Sequence, residues 1–176
     1  MTPREWTLLV QEHSPLVWQA VYRLTAHHAD AADCMQETFL AAWKLAQRQT
    51  VRNWPALLQH LATARALDHL RRQVRQANHV EASDAGEIPS ADIGPAAQAQ
   101  SAEMAVQLRV ALADLPQRQG EAYCLRHLNG MSYEEIAAEL NMTASAVGVA
   151  LHRATERLRV ALMPAVTEAR DPRRSS

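Results

Sequence analysis

Glycine and aromatic residues are scarce in this chain, with 5 glycines and a single phenylalanine among 176 residues and aromatics at 5%. Sheets draw on aromatic and β-branched side chains and their turns on glycine, so this shortage disfavours an all-β fold. No apolar run approaches the roughly 20 residues of a membrane-spanning helix. The first residues, MTPREWTLL, lack a basic segment followed by an apolar block, so neither a signal peptide nor membrane insertion is expected, and the protein reads as cytoplasmic. The two cysteines, Cys34 and Cys124, fall in different halves and form no C-x-x-C pair; they read as small buried thiols. The eight histidines are scattered, with only His27 and His28 adjacent, and no Cys/His cluster is present, so no metal site is expected. Paired catalytic carboxylates, a nucleophile with its base and a phosphate-binding glycine loop are equally unsupported. Neither an enzyme nor a cofactor is expected.

What the chain does have is unevenly distributed charge. The formal net charge is -1, which by itself argues against strong nonspecific nucleic-acid binding. Yet residues 44–75 carry Lys44, Arg48, Arg52, Arg65, Arg71, Arg72 and Arg75 against one acid, Asp68. Acids gather at Asp30, Asp33 and Glu37, and again at Glu81, Asp84, Glu87 and Asp92. One segment is suited to phosphate and the others to protein partners or solvent. A solvated basic face would carry the same pattern.

Helical periodicity runs through most of the chain, so an all-α fold is expected. Thr2 and Glu5 form a capping box with Pro3 at the first helical position; Ser14-Pro15 restarts that helix, which ends near residue 25. Asp30 is expected to cap a second helix over 31–47. A polar loop follows, then a helix opened by Asn53 or Trp54 and running to about residue 76, with Leu57, Leu58, Leu61, Ala64, Leu67 and Leu70 inward. Residues 78–97 mix glycine, proline, serine and acids and read as a flexible linker. Helices over 98–115 and from Pro116 come next, the first with Met104, Leu108, Ala111, Leu112 and Leu115 inward. The stretch 132–159 holds two helix starts in succession: a Ser132/Glu135 capping box, then Thr143 as a second cap. The second of these helices carries Val147, Leu151, Ala154 and Leu158 on its buried stripe and ends near residue 162, before Pro164. A short helix, a tight turn and a longer helix form the helix-turn-helix layout, whose second helix enters the major groove. A plain helical hairpin has the same outline. The exposed start of that helix is poor in base-reading side chains: basic residues begin only at His152 and Arg153.

The wording L-P-x-R-Q followed by L-N-G-M-S-Y-E-E-I-A-x-E-L (residues 115–140) resembles region 4 of the bacterial sigma-70 family, in particular its small extracytoplasmic-function group. The run DAADCMQETFLAAW (residues 30–43) resembles the region 2.2 pattern D-A-E-D-L-x-Q-E-x-F-x-x-x-W nearly position by position. Residues 54–72 resemble regions 2.3 and 2.4, except that the family's frequent Asn is Ala64 here and the basic position before it is Thr63. The resemblance covers about residues 5–76 and 100–160 and implies two small helical domains. These are a region 2 domain over 1–77 and a region 4 helix-turn-helix domain over 98–164, with the linker at 78–97 and a disordered tail over 165–176.

The same resemblance implies a sigma factor that binds core RNA polymerase and directs promoter-specific initiation, held inactive by an anti-sigma factor. It places Asp33, Gln36, Glu37 and Phe39 on the face for the polymerase β′ clamp helices, or in its support. It assigns the −10 strand to Arg48, Arg52, Asn53, Trp54, Arg65, Arg71, Arg72 and Arg75. Trp54 reads either as a stacking platform or as a core anchor. The −35 duplex falls to Thr143, Ser145, Val149, His152, Arg153 and Arg157, the β flap to the same C-terminal domain, and further phosphate contacts to Arg118 and Arg126. Two other functions fit the residues. A sigma-like decoy that titrates an anti-sigma factor suits the thinly basic recognition helix. A one-component helix-turn-helix regulator leaves the helix around residues 30–43 without a task.

Overall fold

The computed structural model of the protein describes residues 2–81 and 97–168, with side-chain surroundings for 2–77 and 101–163. Those residues form seven α-helices and no strand: α1 (Pro3–Thr25), α2 (His28–Ala46), α3 (Trp54–Glu81), α4 (Ala97–Ala113), α5 (Gln117–His127), α6 (Tyr133–Leu140) and α7 (Ala144–Glu168).

The capping box at the start of α1 forms as expected, with the Glu5 amide donating to Thr2 Oγ1 at 3.3 Å and the Thr2 amide to Glu5 Oε2 at 2.6 Å. The expected restart at Ser14-Pro15 does not occur, and α1 runs unbroken through Pro15. Proline removes one amide from the ladder, but Pro15 lies on the exposed side, where water can reach the carbonyl left over. The buried stripe of Val17, Ala20, Val21 and Leu24 continues past it and holds the helix. Ala26, in the left-handed region at φ 53°, ends α1.

Asp30 does not cap α2. The helix begins two residues earlier than Asp30, His27 occupies the cap position without a side-chain bond, and Asp30 lies inside the first turn. Its Oδ2 accepts from Gln73 Nε2 of α3 at 2.9 Å, with His69 Nε2 at 3.4 Å and His27 Nδ1 at 3.2 Å. A long-range tie has taken the carboxylate that local chemistry offered to the helix start. At α3 the expected cap forms, Asn53 Oδ1 accepting from the Ala56 amide at 3.1 Å. α3 runs on past residue 76 to Glu81, and α7 continues through Pro164 to Glu168 rather than stopping near 162. Most of the expected linker, residues 82–96, and most of the expected tail, residues 169–176, lie outside the described residues.

Helix α3 is the shared wall of the interior. On one side it packs against α1 and α2, through Leu58, Leu67 and Leu70 against Val17, Val21 and Leu24. The same buried cluster continues into Leu112, Leu115, Cys124, Ala154 and Leu158 of the C-terminal helices. A second cluster of Leu125, Ile136, Leu140, Val147 and Leu151 takes in Ala56 of α3. Met104, expected inward on α4, is 40% exposed; the inward side of that helix is carried by Leu108, Ala111 and Leu112. Each fully buried leucine is worth roughly 1.5–3 kcal/mol of apolar transfer, so the contact between the N-terminal and C-terminal helices is part of the core.

Both cysteines are buried and unpaired. Burial pushes the Cys34 thiol up to about 11, with Glu37 and Asp30 adding to the effect, and burial pushes Cys124 up to about 12. A raised thiol pKa removes the reactive thiolate at neutral pH. Neither cysteine of the native protein should react with a disulfide reagent at pH 8, and both should react at once in denaturant; rapid native labelling of either would contradict this packing.

Candidate nucleic-acid and polymerase interface

Asp33, Gln36 and Glu37 are exposed along one side of α2, which the helical repeat brings into line. Phe39 is not on that surface. It is 8% exposed and meets the Trp6 ring edge-on at 6.1 Å, so it supports the face from within. Leu40 stands in the open beside Gln36, at 53% exposure. With Trp6, Trp18, Met35 and Trp43 it lines an apolar groove of about 560 Å³ between α1 and α2. Sequence reasoning passed over Leu40, although its spacing from Asp33 and Gln36 puts it on the same side of the helix.

A second groove, of about 410 Å³, is lined by Glu37, Arg65, Asp68, Arg71, Arg72 and Arg75. Four arginines expected to act together are therefore brought together. Arg65 Nε lies 3.9 Å from Glu37 Oε2, an exposed pair of small energetic weight. Arg72 Nε donates to the Asp68 carbonyl at 3.3 Å. Arg71 is the most engaged: Nη1 meets Asp68 Oδ1 at 3.1 Å, while Nε and Nη2 donate to the carbonyls of Ala113 and Leu115, each at 3.3 Å. Arg48 and Arg52 are exposed in the loop before α3 and do not line this groove. The side chain of Asn53 is occupied as a helix cap. Trp54 is half-buried, its ring 6.2 Å from that of Trp6, which joins it to an aromatic cluster with Trp43.

In the C-terminal helices the capping box closes as expected, with the Ser132 amide donating to Glu135 Oε2 at 2.8 Å and the Glu135 amide to Ser132 Oγ at 3.2 Å. Asn141, left-handed at φ 52°, ends α6. Thr143 Oγ1 then accepts from the Ala146 amide at 3.1 Å and starts α7. Ile136, Leu140, Val147, Leu151, Ala154 and Leu158 are buried, which leaves Thr143, Ser145, Val149, His152, Arg153 and Arg157 exposed. The two arginines assigned to phosphate have structural partners. Arg118 Nη1 donates to the Leu140 carbonyl at 2.7 Å, and Arg126 Nη1 to that of Met131 at 2.9 Å while lying over the Tyr133 ring. They brace the turn of the motif. A methyl group added at Gly148 would sit 3.7 Å from the Tyr133 ring, an ordinary contact, so packing does not demand glycine there.

Among the described residues no group of three or more His, Cys, Asp or Glu is placed to hold a metal ion, and no helix is long and apolar enough to cross a membrane. Chemically, the arrangement offers two things: charge for a phosphate backbone and exposed helix faces for protein.

Two family models match, Sigma-70 region 2 over residues 9–76 and Sigma-70, region 4 over residues 105–158. The chain belongs to the sigma-70 family, in its extracytoplasmic-function group. It is 30% identical to the ECF RNA polymerase sigma factor SigL of Mycobacterium tuberculosis, over 88% of this chain and 86% of the relative. It is also 30% identical to SigE of Mycolicibacterium smegmatis, covering 88% of this chain and 60% of the relative. To SigD of M. tuberculosis it is 36% identical, over 73% and 61%. The chain thus spans only about 60% of the length of SigE and of SigD. Two solved structures share the fold. CnrH in complex with the cytosolic domain of CnrY aligns with a TM-score of 0.57 at 22% identity, over 97% of this chain and 92% of the other. RpoE of Bartonella quintana, in complex with the anti-sigma factor NepR, aligns at 0.52 and 23%, over 91% and 95%.

Two substitutions test the helix-turn-helix. Ser132→Ala removes one half of the capping box and should lower stability by about 1 kcal/mol in denaturant melts. Gly148→Ala should raise it by up to about 1 kcal/mol, because the new methyl meets open van der Waals contact and the helix gains propensity.

Proposed function

We propose that this protein is a sigma factor: it binds core RNA polymerase through α2, holds a melted −10 strand in the arginine groove of α3, and places α7 on a −35 duplex. On this reading the polymerase and −10 functions belong to residues 1–77 and the −35 and flap functions to residues 98–164. The observation that carries it is the adjacency, on α2 and α3, of an exposed acidic and polar face and a four-arginine groove. A melted strand needs cationic grooves for its backbone, and the polymerase needs an accessible face beside it. The protein acts in the cytoplasm and catalyses no reaction itself. The half-buried ring of Trp54 favours the anchor role over base stacking, so backbone capture falls to the arginines and strand entry to exposed Arg48 and Arg52. An anti-sigma factor, as bound to B. quintana RpoE, would hold the chain inactive by covering the α2 face and the apolar groove beside it.

A decoy that sequesters an anti-sigma factor remains the second reading, favoured by the recognition helix itself. Its exposed first turn presents Thr143, Ala144 and Ser145, with no forked donor for guanine or adenine. Run-off transcription with purified core polymerase on fragmented genomic DNA separates the two. Discrete new starts sharing upstream elements at two fixed distances support the sigma factor, and core binding without new starts supports the decoy. Asp33→Arg reverses a charge on an exposed helix position; it should weaken core binding by at least about tenfold with the helical fold intact. Wild-type binding by that variant would remove α2 as the docking face.

A further inference from the structure

The outer face of α7 begins with an apolar side chain rather than a polar one. Ser145, Val149 and Arg153 follow one another at intervals of four along the exposed side, with His152 beside them. Val147, Ala150, Leu151 and Ala154 form the opposite, buried side. Val149 is 47% exposed, and its neighbours Ala144, Ser145 and Gly148 are all small. Among residues 144–149 it is the largest exposed side chain. A valine in a helix holds essentially one rotamer, so Val149 is a fixed knob that loses little freedom when something covers it. Gly148 keeps the surface low beside it. Inner packing does not ask for glycine at that position, since an added methyl would meet only the Tyr133 ring, at 3.7 Å.

The polar groups nearby discriminate little between bases. Thr143 Oγ1 already holds the Ala146 amide. The hydroxyl of Ser145 can donate or accept, and so suits any base. Arg118 and Arg126 are engaged by the carbonyls of Leu140 and Met131. Arg153 and Arg157 stand one and two turns beyond Val149, where they suit phosphate, which positions a helix but carries no sequence information. Thymine is the one base that puts an apolar group, its C5-methyl, into the major groove, and apolar side chains read that methyl by contact. We infer that Val149 is a specificity-determining residue that reads a thymine methyl in the −35 duplex, while the arginines after it grip the backbone. The inference rests on the −35 role proposed for α7. It makes the discrimination of this helix one of shape and methyl chemistry, with the small residues around Val149 letting the helix come close enough for a short side chain to touch the base.

The test uses the full chain assembled with core RNA polymerase. Promoter duplexes randomised across the −35 segment are selected on this holoenzyme. Each thymine of the selected element is then replaced singly by deoxyuridine, which keeps every hydrogen-bonding group and removes only the methyl. At one position the replacement should weaken binding about fourfold, the worth of one buried methyl group. Val149→Ala should bind the thymine and uracil duplexes equally, because the two deletions remove one shared contact and do not add. Val160→Ala removes another exposed apolar side chain of α7, 65% exposed, and should keep the fourfold ratio. Alanine favours the helix in both variants, and circular dichroism checks that α7 is retained. An element without thymine, or one whose thymines can all be replaced without loss, would overturn the methyl reading while leaving the −35 role of α7 standing. A fourfold ratio that survives Val149→Ala would take the reading away from Val149 with the same role intact. Failure to select any −35 sequence, with core binding preserved, would overturn the −35 role and, with it, the inference.

Discussion

Everything in this protein leans on α3. The helix is buried on one side by α1 and α2 and on another by α4, α5 and α6. Its small residues Ala56, Ala62 and Ala66 are among the most enclosed in the chain, and they let neighbouring helices approach closely. A helix enclosed on two sides has little surface left for a ligand. What remains is the strip of Arg65, Arg72 and Arg75 beside Asp68. A row of four arginines thus stands on the helix that also packs against five of the other six.

Arginine does two kinds of work here, and both are charge-assisted hydrogen bonding to carbonyl oxygen. Arg118 ties α5 to the end of α6, which fixes the angle of the helix-turn-helix. Arg71 and Arg23 make the same kind of bond between the N-terminal and C-terminal halves. The first is needed whenever the motif is folded. The second kind is compatible with only one arrangement of the halves, because its partners lie on helices separated from α1 and α3 by the long stretch after Glu81. The arginines that look interchangeable along the chain therefore differ in what they hold.

Local chemistry was legible wherever it had no competitor. Thr2 with Glu5, Ser132 with Glu135, Asn53 and Thr143 all cap the helices that they were expected to cap, since their partners sit three residues away. Pro15 and Asp30 misled because distant residues decided the outcome: packing of the later turns carried α1 through its proline, and Gln73 claimed the aspartate. The candidate site was legible as residue types, with the four arginines of the groove named from sequence. Their engagement was not. The bond from Asn129 to Thr63 spans 66 positions, and no periodicity or motif links an asparagine in one turn to a threonine inside a helix. Ala64 and Thr63 break the family pattern and are where sequence reasoning lost its guide, and at Thr63 the two halves meet.

The four tryptophans have a practical consequence. Trp6, Trp18, Trp43 and Trp54 all precede the second half of the chain, and Trp6, Trp43 and Trp54 share one cluster with Phe39 at the edge of the apolar groove. Intrinsic emission is therefore a private channel to the first three helices. The C-terminal helices are dark in that channel, carrying Tyr123 and Tyr133 but no indole. A protein partner that seats itself between α1 and α2 would announce its arrival in the colour of the emitted light, whereas duplex DNA on α7 would pass unseen, so one unlabelled sample can tell which end of the molecule has been engaged.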